Sequence, residues 1–237
     1  MKKLEQLRTY LRTIQNQNYE LIWAKTWDDT KKDIEWILNL PGISPGRWAV
    51  GYNYLYVLTR VLHELRPHSA LDFGLGISGT LFSTYFDFFN YPDGDHTIIE
   101  HDKEWIEFYS KNNRISSATH IEAVSCIEKV YRGNNYTAYN NLESLLKNKK
   151  YTVISIDGPK GSDRYSRRDI LEFLPEILND SFVILVDDAE RVGEKDTIYE
   201  IRKKLSNNGI EFCEGLYPGM TECVIFTSIN NRFLCTM

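Results

Sequence analysis

The stretch LDFGLGISGTLF, Leu71 to Phe82, decides the fold. A short apolar run ends in glycines spaced Gly74-x-Gly76-x-x-Gly79 and passes straight into a helix-forming segment. Glycines there let the backbone turn tightly and bring its N–H groups up to a ligand at the positive end of the following helix. The spacing predicts a strand, loop and helix that hold a nucleotide-like ligand, against the plainer alternative of a structural turn. Glu100 closes the next apolar run, TIIEHD. It lies about 20 residues further on, where a carboxylate can accept both hydroxyls of a ribose.

Outward from this unit, apolar runs at Ala70 to Phe73, Thr97 to Glu100, His120 to Val124, Thr152 to Asp157 and Phe182 to Asp187 alternate with helical patterns. Such alternation predicts a parallel sheet with right-handed helical crossovers. After DTIYEIRKKLSNNG, a helix ended by glycine, IEFCEGLY and ECVIFTSI flank Pro218-Gly219 and read as a terminal antiparallel pair. The fold class is α/β, a doubly wound and mostly parallel seven-stranded sheet with a C-terminal antiparallel strand pair. Residues 1–44 read as an N-terminal helical appendage, with Leu4, Leu7, Tyr10, Leu11 and Ile14 at helical spacing, then Ile34, Ile37 and Leu38. NLPGISPG separates it from the aromatic-rich helix WAVGYNYLYVLTRVLHEL and from the 45–237 domain.

The 237 residues, 42% hydrophobic and 26% charged, suit one globular domain with a short appendage. A net charge of −5 excludes a general affinity for nucleic acid or anionic membrane, because neutralising phosphate takes a surplus of Lys and Arg. Cys126, Cys213, Cys223 and Cys235 stand at no metal-ligand or disulfide-framework spacing, which fits the cytoplasm. No apolar run reaches the roughly 20 residues of a membrane span, and MKKLEQLRTY lacks the apolar core of a signal peptide.

The glycine loop and Glu100 fit NAD as well as S-adenosylmethionine (SAM). Asp72, two residues before the first glycine, discriminates: a carboxylate there repels a pyrophosphate and suits the cationic amino group of a methionine moiety. LDFGLGISG resembles the first motif of the class I SAM-dependent methyltransferases, and TIIEHD the acidic end of their second strand; these enzymes also add an antiparallel final strand to the sheet. The resemblance implies that Asp72, Gly74, Gly76 and Ser78 line the methionine part and Glu100 the ribose. His101, beside Glu100, is a candidate for cofactor contact or for a base, while AVSCIEKVYRGNN carries no adenine signature.

Two further runs end in carboxylates, Asp157 in VISIDGPKGSDRYSRRD and Asp187-Asp188 in FVILVDDAER. Parallel strands deliver these acids to one edge of the sheet, beside the glycine loop. Converging carboxylates suit a hard divalent cation, Mg2+ or Mn2+, with Asp157, Asp187 and Asp188 as ligands; unpaired, they call for a metal, a Lys or a proton between them. Asp157-x-x-Lys160 supplies a candidate base for a substrate hydroxyl. The catalytic candidates are thus Asp157, Lys160 and Asp187.

These residues resemble two narrower families. Catechol-type O-methyltransferases place an Asp and a Lys three residues apart after the fourth strand and Asp-Asn after the fifth, where this chain has Asp188 in place of Asn. The order FGLG, IEHDKEWIEFY, IDGPKG with an Arg-rich loop, and ILVDDAER resembles the plant glucuronoxylan O-methyltransferases, which implies a uronic-acid sugar as acceptor. Arg164, Arg167 and Arg168 suit an anionic sugar through bidentate guanidinium bonds, or else pair with Asp169 and Glu172 at an exposed helix start. Trp48 and Tyr52, in an aromatic segment, are candidates to stack on a sulfonium or a sugar ring, or are core. The expected function is a cytoplasmic SAM-dependent O-methyltransferase acting on a carbohydrate hydroxyl, in surface polysaccharide synthesis. The alternatives are a catechol-type enzyme on a small aromatic and a non-catalytic nucleotide- or glycan-binding accessory protein. The N-terminal helices either cover the site or pair with another subunit as a homo-oligomer.

Overall fold

The computed structural model describes residues 2–40, 42 and 49–236. Helix α1 (Lys2–Thr30) is followed by two 3-10 turns and α2 (Tyr52–Leu65). Then come β1 (Ser69–Phe73), α3 (Ile77–Phe89), β2 (Asp95–Glu100), α4 (Lys103–Asn112) and β3 (Thr119–Ala123). A hairpin of β4 (Cys126–Tyr131) and β5 (Asn134–Tyr139) and the short α5 (Glu143–Leu146) lead into β6 (Tyr151–Ile156). A 3-10 segment (Arg168–Glu172), β7 (Leu178–Val186), α6 (Val192–Asn207), β8 (Phe212–Tyr217) and β9 (Cys223–Ser228) complete the chain's main elements. The seven-stranded sheet has the order β3-β2-β1-β6-β7-β9-β8. β1 pairs in parallel with β2 and β6, and β9 lies antiparallel between β7 and β8.

The expectation of helices between all the inner strands is corrected after β3. There the chain makes a hairpin, because Arg132 (φ 49°) and Gly133 (φ 74°) both adopt the left-handed turn conformation that matches the twist of two tightly joined strands. The β6 to β7 crossover likewise carries only a 3-10 segment.

Each face of the sheet has its own core. Leu58, Phe82 and Tyr85 of α2 and α3 fill one; Tyr139, Leu174 and Ile201 fill the other. The N-terminal segment feeds the first: Trp23, Trp27 and Trp36 are buried in the same cluster, and the Trp27 indole donates to the Thr59 hydroxyl at 3.1 Å. The boundary expected at residue 44 and the candidate Trp48 lie outside the described residues.

Candidate active site

The strand ends of β1, β2, β6 and β7 meet at one edge. Gly74 adopts φ +104°, and a methyl group built on it would stand 3.2 Å from the Gly158 nitrogen and 3.3 Å from the Asp157 carbonyl carbon, so the glycine loop and the loop after β6 touch. Gly79 is packed against Ile98, 3.1 Å from the position a methyl would take. Gly76 has open space beside it. It also opens α3 without any side-chain cap, which leaves first-turn N–H groups available to an anion.

Glu100 braces this loop. Its Oε2 accepts from the Leu75 N–H at 2.9 Å, and its Oε1 from the N–H groups of His101 and Asp102 at 2.6 and 2.8 Å. Oε2 therefore keeps a lone pair for a ribose hydroxyl. The His101 Nδ1 lies 2.7 Å from Glu100 Oε1, with the ring partly exposed. Trp105, which carried no sequence signal as a site residue, donates its indole N–H to the Leu75 carbonyl at 2.6 Å and clamps the loop from outside.

Asp72 does not reach the open edge. It is fully buried, and Ser78 and Ser155 donate their hydroxyls to its two oxygens at 2.7 and 2.5 Å. Burial pushes its carboxyl up to about 7, against the two hydroxyl bonds that lower it. Ser78 thus serves to tie α3 to β1.

Asp157, Asp187 and Asp188 do converge, with oxygens within 4.8 Å of one another. Asp157 is the accessible member, its side chain 24% exposed. Burial raises its carboxyl to about 6, with Arg167 pulling the other way. Asp187 is buried, and burial followed by repulsion from Asp157 and Asp188 holds its carboxyl well above the usual range. Asp188 sits at φ 58° and accepts from Arg167 at 2.8 Å and pairs with Arg191 at 2.7 Å.

The buried cation among these acids is Arg167. Its guanidinium is 5% exposed and lies 3.2 Å from Asp157 Oδ1. It also donates to the backbone oxygens of Pro159 and Asp187, both at 3.3 Å. The donor chemistry of the three carboxylates suits Mg2+ or Mn2+, but this guanidinium stands on two of them, so a divalent ion does not fit unless Arg167 leaves.

The three loop arginines diverge. Arg164 forms a fork with Asp196 at 2.6 and 3.0 Å. Arg168 pairs with Glu200 at 3.1 Å and lies 3.7 Å from the centre of the Tyr131 ring. The alternative pairing with Asp169 and Glu172 is corrected: Arg167 sits at φ 56° in a left-handed turn, and only a 3-10 segment follows, so helical spacing does not apply. Lys160 is exposed, three residues beyond Asp157. Tyr52 is remote from this cluster in its contacts: it packs on Trp27, 5.8 Å between ring centres, and lines a cavity of about 550 Å³ with Ile37 and Leu40. Tyr139, from the unexpected hairpin, is 1% exposed and donates to the Ile99 carbonyl at 3.1 Å, closing the strand ends of β1 and β2 from the side.

No family model and no curated protein matches the chain. Among solved structures, the O-methyltransferase TomG from Streptomyces achromogenes, involved in tomaymycin synthesis and solved with SAM, shares 10% identity over 73% of this chain and 78% of its own, with a TM-score of 0.51. An O-methyltransferase from Bacillus cereus solved with S-adenosylhomocysteine (SAH) has 13% identity over 89% of this chain and 91% of its own, TM-score 0.47. The SAH-bound methyltransferase PaMTH1 from Podospora anserina has 10% identity over 95% and 94%, TM-score 0.47. Strand order, glycine loop and the TomG likeness together give the chain the Rossmann-like fold of the SAM-dependent methyltransferases.

Proposed function

We propose that the chain is a SAM-dependent O-methyltransferase acting on a hydroxyl of a carbohydrate. The observation that carries the reading is the juxtaposition of an uncapped, open glycine loop braced by Glu100 with a partly exposed carboxylate, Asp157, on the loop it touches. The residues fit the cofactor: α3 offers free N–H groups and open space at Gly76 for the methionine carboxylate, and Glu100 Oε2 offers an acceptor to the ribose. When bound, SAM supplies an electrophilic methyl on a sulfonium. With SAM bound, Asp157 would accept the proton of the acceptor hydroxyl while the hydroxyl oxygen takes the methyl group and the sulfonium leaves as SAH. A carboxyl held near 6 is ionised at neutral pH yet basic enough to act.

Lys160 stands exposed three residues on, and it supports an anionic group on the acceptor now that Arg164, Arg167 and Arg168 are engaged with acids of this chain. The carbohydrate itself rests on the motif resemblance. Calorimetric titration with SAM and with NAD, followed by turnover with uronic acids and sugar phosphates, tests the reading. Micromolar SAM binding with turnover that Asp157→Asn removes, while binding is kept, supports it; failure to bind SAM overturns it in favour of a non-catalytic role.

A further inference from the structure

Helix α1 carries a second pattern that the proposed chemistry does not use. Leu4, Leu7, Leu11, Ile14, Asn18 and Leu21 follow at alternating intervals of three and four residues, the a and d positions of successive heptads. Leu4, Leu7, Leu11 and Leu21 are 55%, 51%, 55% and 69% exposed, and Tyr10 and Ile22, at the flanking g and e positions, are exposed as well. The other side of the helix is the docked one. Trp23 and Trp27, at f and c, are buried on α2, and Glu20 accepts from the backbone N–H groups of Tyr52 at 2.9 Å and Met220 at 3.2 Å. The helix is thus fixed by one side and holds an apolar stripe outward.

We infer that this stripe pairs with the same stripe of a second copy of the chain, as a parallel two-stranded coiled coil in register at Asn18. Asn18 is what selects this occupant. It is exposed in the single chain, within an otherwise apolar seam. Parallel, in-register pairing sets it against Asn18 of the partner subunit, where two amides hydrogen-bond each other; a single polar a position fixes register and strand number in this way. The centred antiparallel pairing of the same six positions would set it against Leu7 and bury it unpaired. A membrane surface is a poorer occupant, because the residues behind the stripe, Glu5, Gln6, Thr9, Arg12, Thr13 and Asn16, hold one acid and one base and form no basic face.

Leu4 to Leu21 spans about 26 Å of helix, which places the contact at the small end of specific interfaces and the association in the micromolar range. The flanking charges set its salt response. Lys3 at g faces Arg8 of the partner subunit at e, so the pairing tightens as salt screens them, opposite to an interface held by salt bridges.

Sedimentation velocity of the full chain across micromolar and sub-millimolar concentrations, at low and high salt, tests this. A monomer–dimer equilibrium that tightens with salt is expected. Leu7→Glu with Leu11→Glu, both at exposed positions, should raise the dissociation constant at least ~100-fold, with the unfolding temperature unchanged at concentrations where both chains are monomeric. Leu4→Cys should give an oxidised disulfide dimer that the unsubstituted chain does not, since only parallel register brings the two sulfurs together. A monomer at all concentrations overturns the proposal, as does a dimer indifferent to the glutamates; absence of the Leu4→Cys crosslink in a dimer overturns the parallel register. Binding of the monomer to anionic vesicles would assign the stripe to lipid and overturn it too.

Discussion

Replacing Asp72 by Asn should stabilise the protein above neutral pH and not below about pH 4. Asp72 is fully buried, with two serine hydroxyls and no cation on its oxygens. Its carboxyl is raised from 3.8 to about 7, and at about 1.4 kcal/mol per unit the difference is about 4 kcal/mol. The sign follows from linkage. The folded state holds the proton more tightly than the unfolded one, so the contribution is fully present below about pH 4 and is lost as pH rises through about 7. Asparagine never ionises, and its amide can accept from Ser155 while donating to Ser78; losing a carboxylate acceptor costs about 1 kcal/mol. The variant should therefore trail the native chain at about pH 4, lead it by less than about 1 kcal/mol at pH 5 and exceed it by about 3 kcal/mol at pH 8. For a chain of this length that is on the order of 5–10 °C in unfolding temperature. Urea and thermal unfolding of both proteins at these pH values measure the gap. Asp169 is raised as well but is common to both proteins, so it cancels, while the repulsion between Asp157 and Asp72 is already part of the Asp72 shift. A gap that does not change with pH refutes the account of Asp72 as an ionised, uncompensated acid.

The two loop glycines should separate by assay. Gly74→Ala meets a positive φ and a 3.2 Å backbone contact and should cost about 1–3 kcal/mol in urea unfolding; Gly76→Ala meets open space and should leave stability within about 0.5 kcal/mol while weakening SAM binding at least ~10-fold. Arg167→Met strips the guanidinium from Asp157, Asp188 and Glu194 and should cost about 3–5 kcal/mol by the same measurement. Excess chelator should leave methyl transfer unchanged, and a loss restored by Mn2+ would show that a metal displaces Arg167. In the pH profile of turnover, Asp157 should appear as an ascending limb with an inflection near 6, shared among the acids it faces; a flat profile from pH 5 to 8 would remove it as the base.

The parts legible in the sequence are those set by local rules. The strand ends, the glycine spacing and the meeting of Asp157 with Asp187 and Asp188 follow from runs of β-branched residues and from parallel topology. The β4–β5 hairpin escaped because its turn is Arg132-Gly133, with an arginine at a left-handed position where Asn or Asp is the usual signal. Tyr139 escaped with it. The arginine partners were hidden for a related reason: Arg167 at φ 56° breaks the helical spacing from which pairing with Asp169 and Glu172 would follow, and sends consecutive guanidinium groups to acids on other elements. Asp72 was placed correctly on its strand, but no local rule reports that two hydroxyls will enclose it.

The charge of the edge argues for the cofactor more strongly than the glycine loop does. Glu100, Asp157, Asp187, Asp188 and Glu194 surround the strand ends, with Arg167 buried among four of them and half-exposed Arg191 against Asp188. Arg167 is spent on acids of its own chain, since its donors face Asp157, Asp188 and two backbone oxygens. Among the described residues, a dinucleotide would lay its pyrophosphate against carboxylates whose guanidinium partners, Arg167 and Arg191, are already engaged, an arrangement Coulomb repulsion penalises at these distances. A sulfonium carries the opposite charge and loses it as the methyl leaves, so on the proposed reading the same acids would draw SAM in and hold the neutral product less tightly. SAM should accordingly bind more tightly than SAH, with the difference shrinking as salt rises. Equal affinities at low salt would mean that Arg167 and Arg191 already neutralise the edge and that the acids play no part in choosing the ligand.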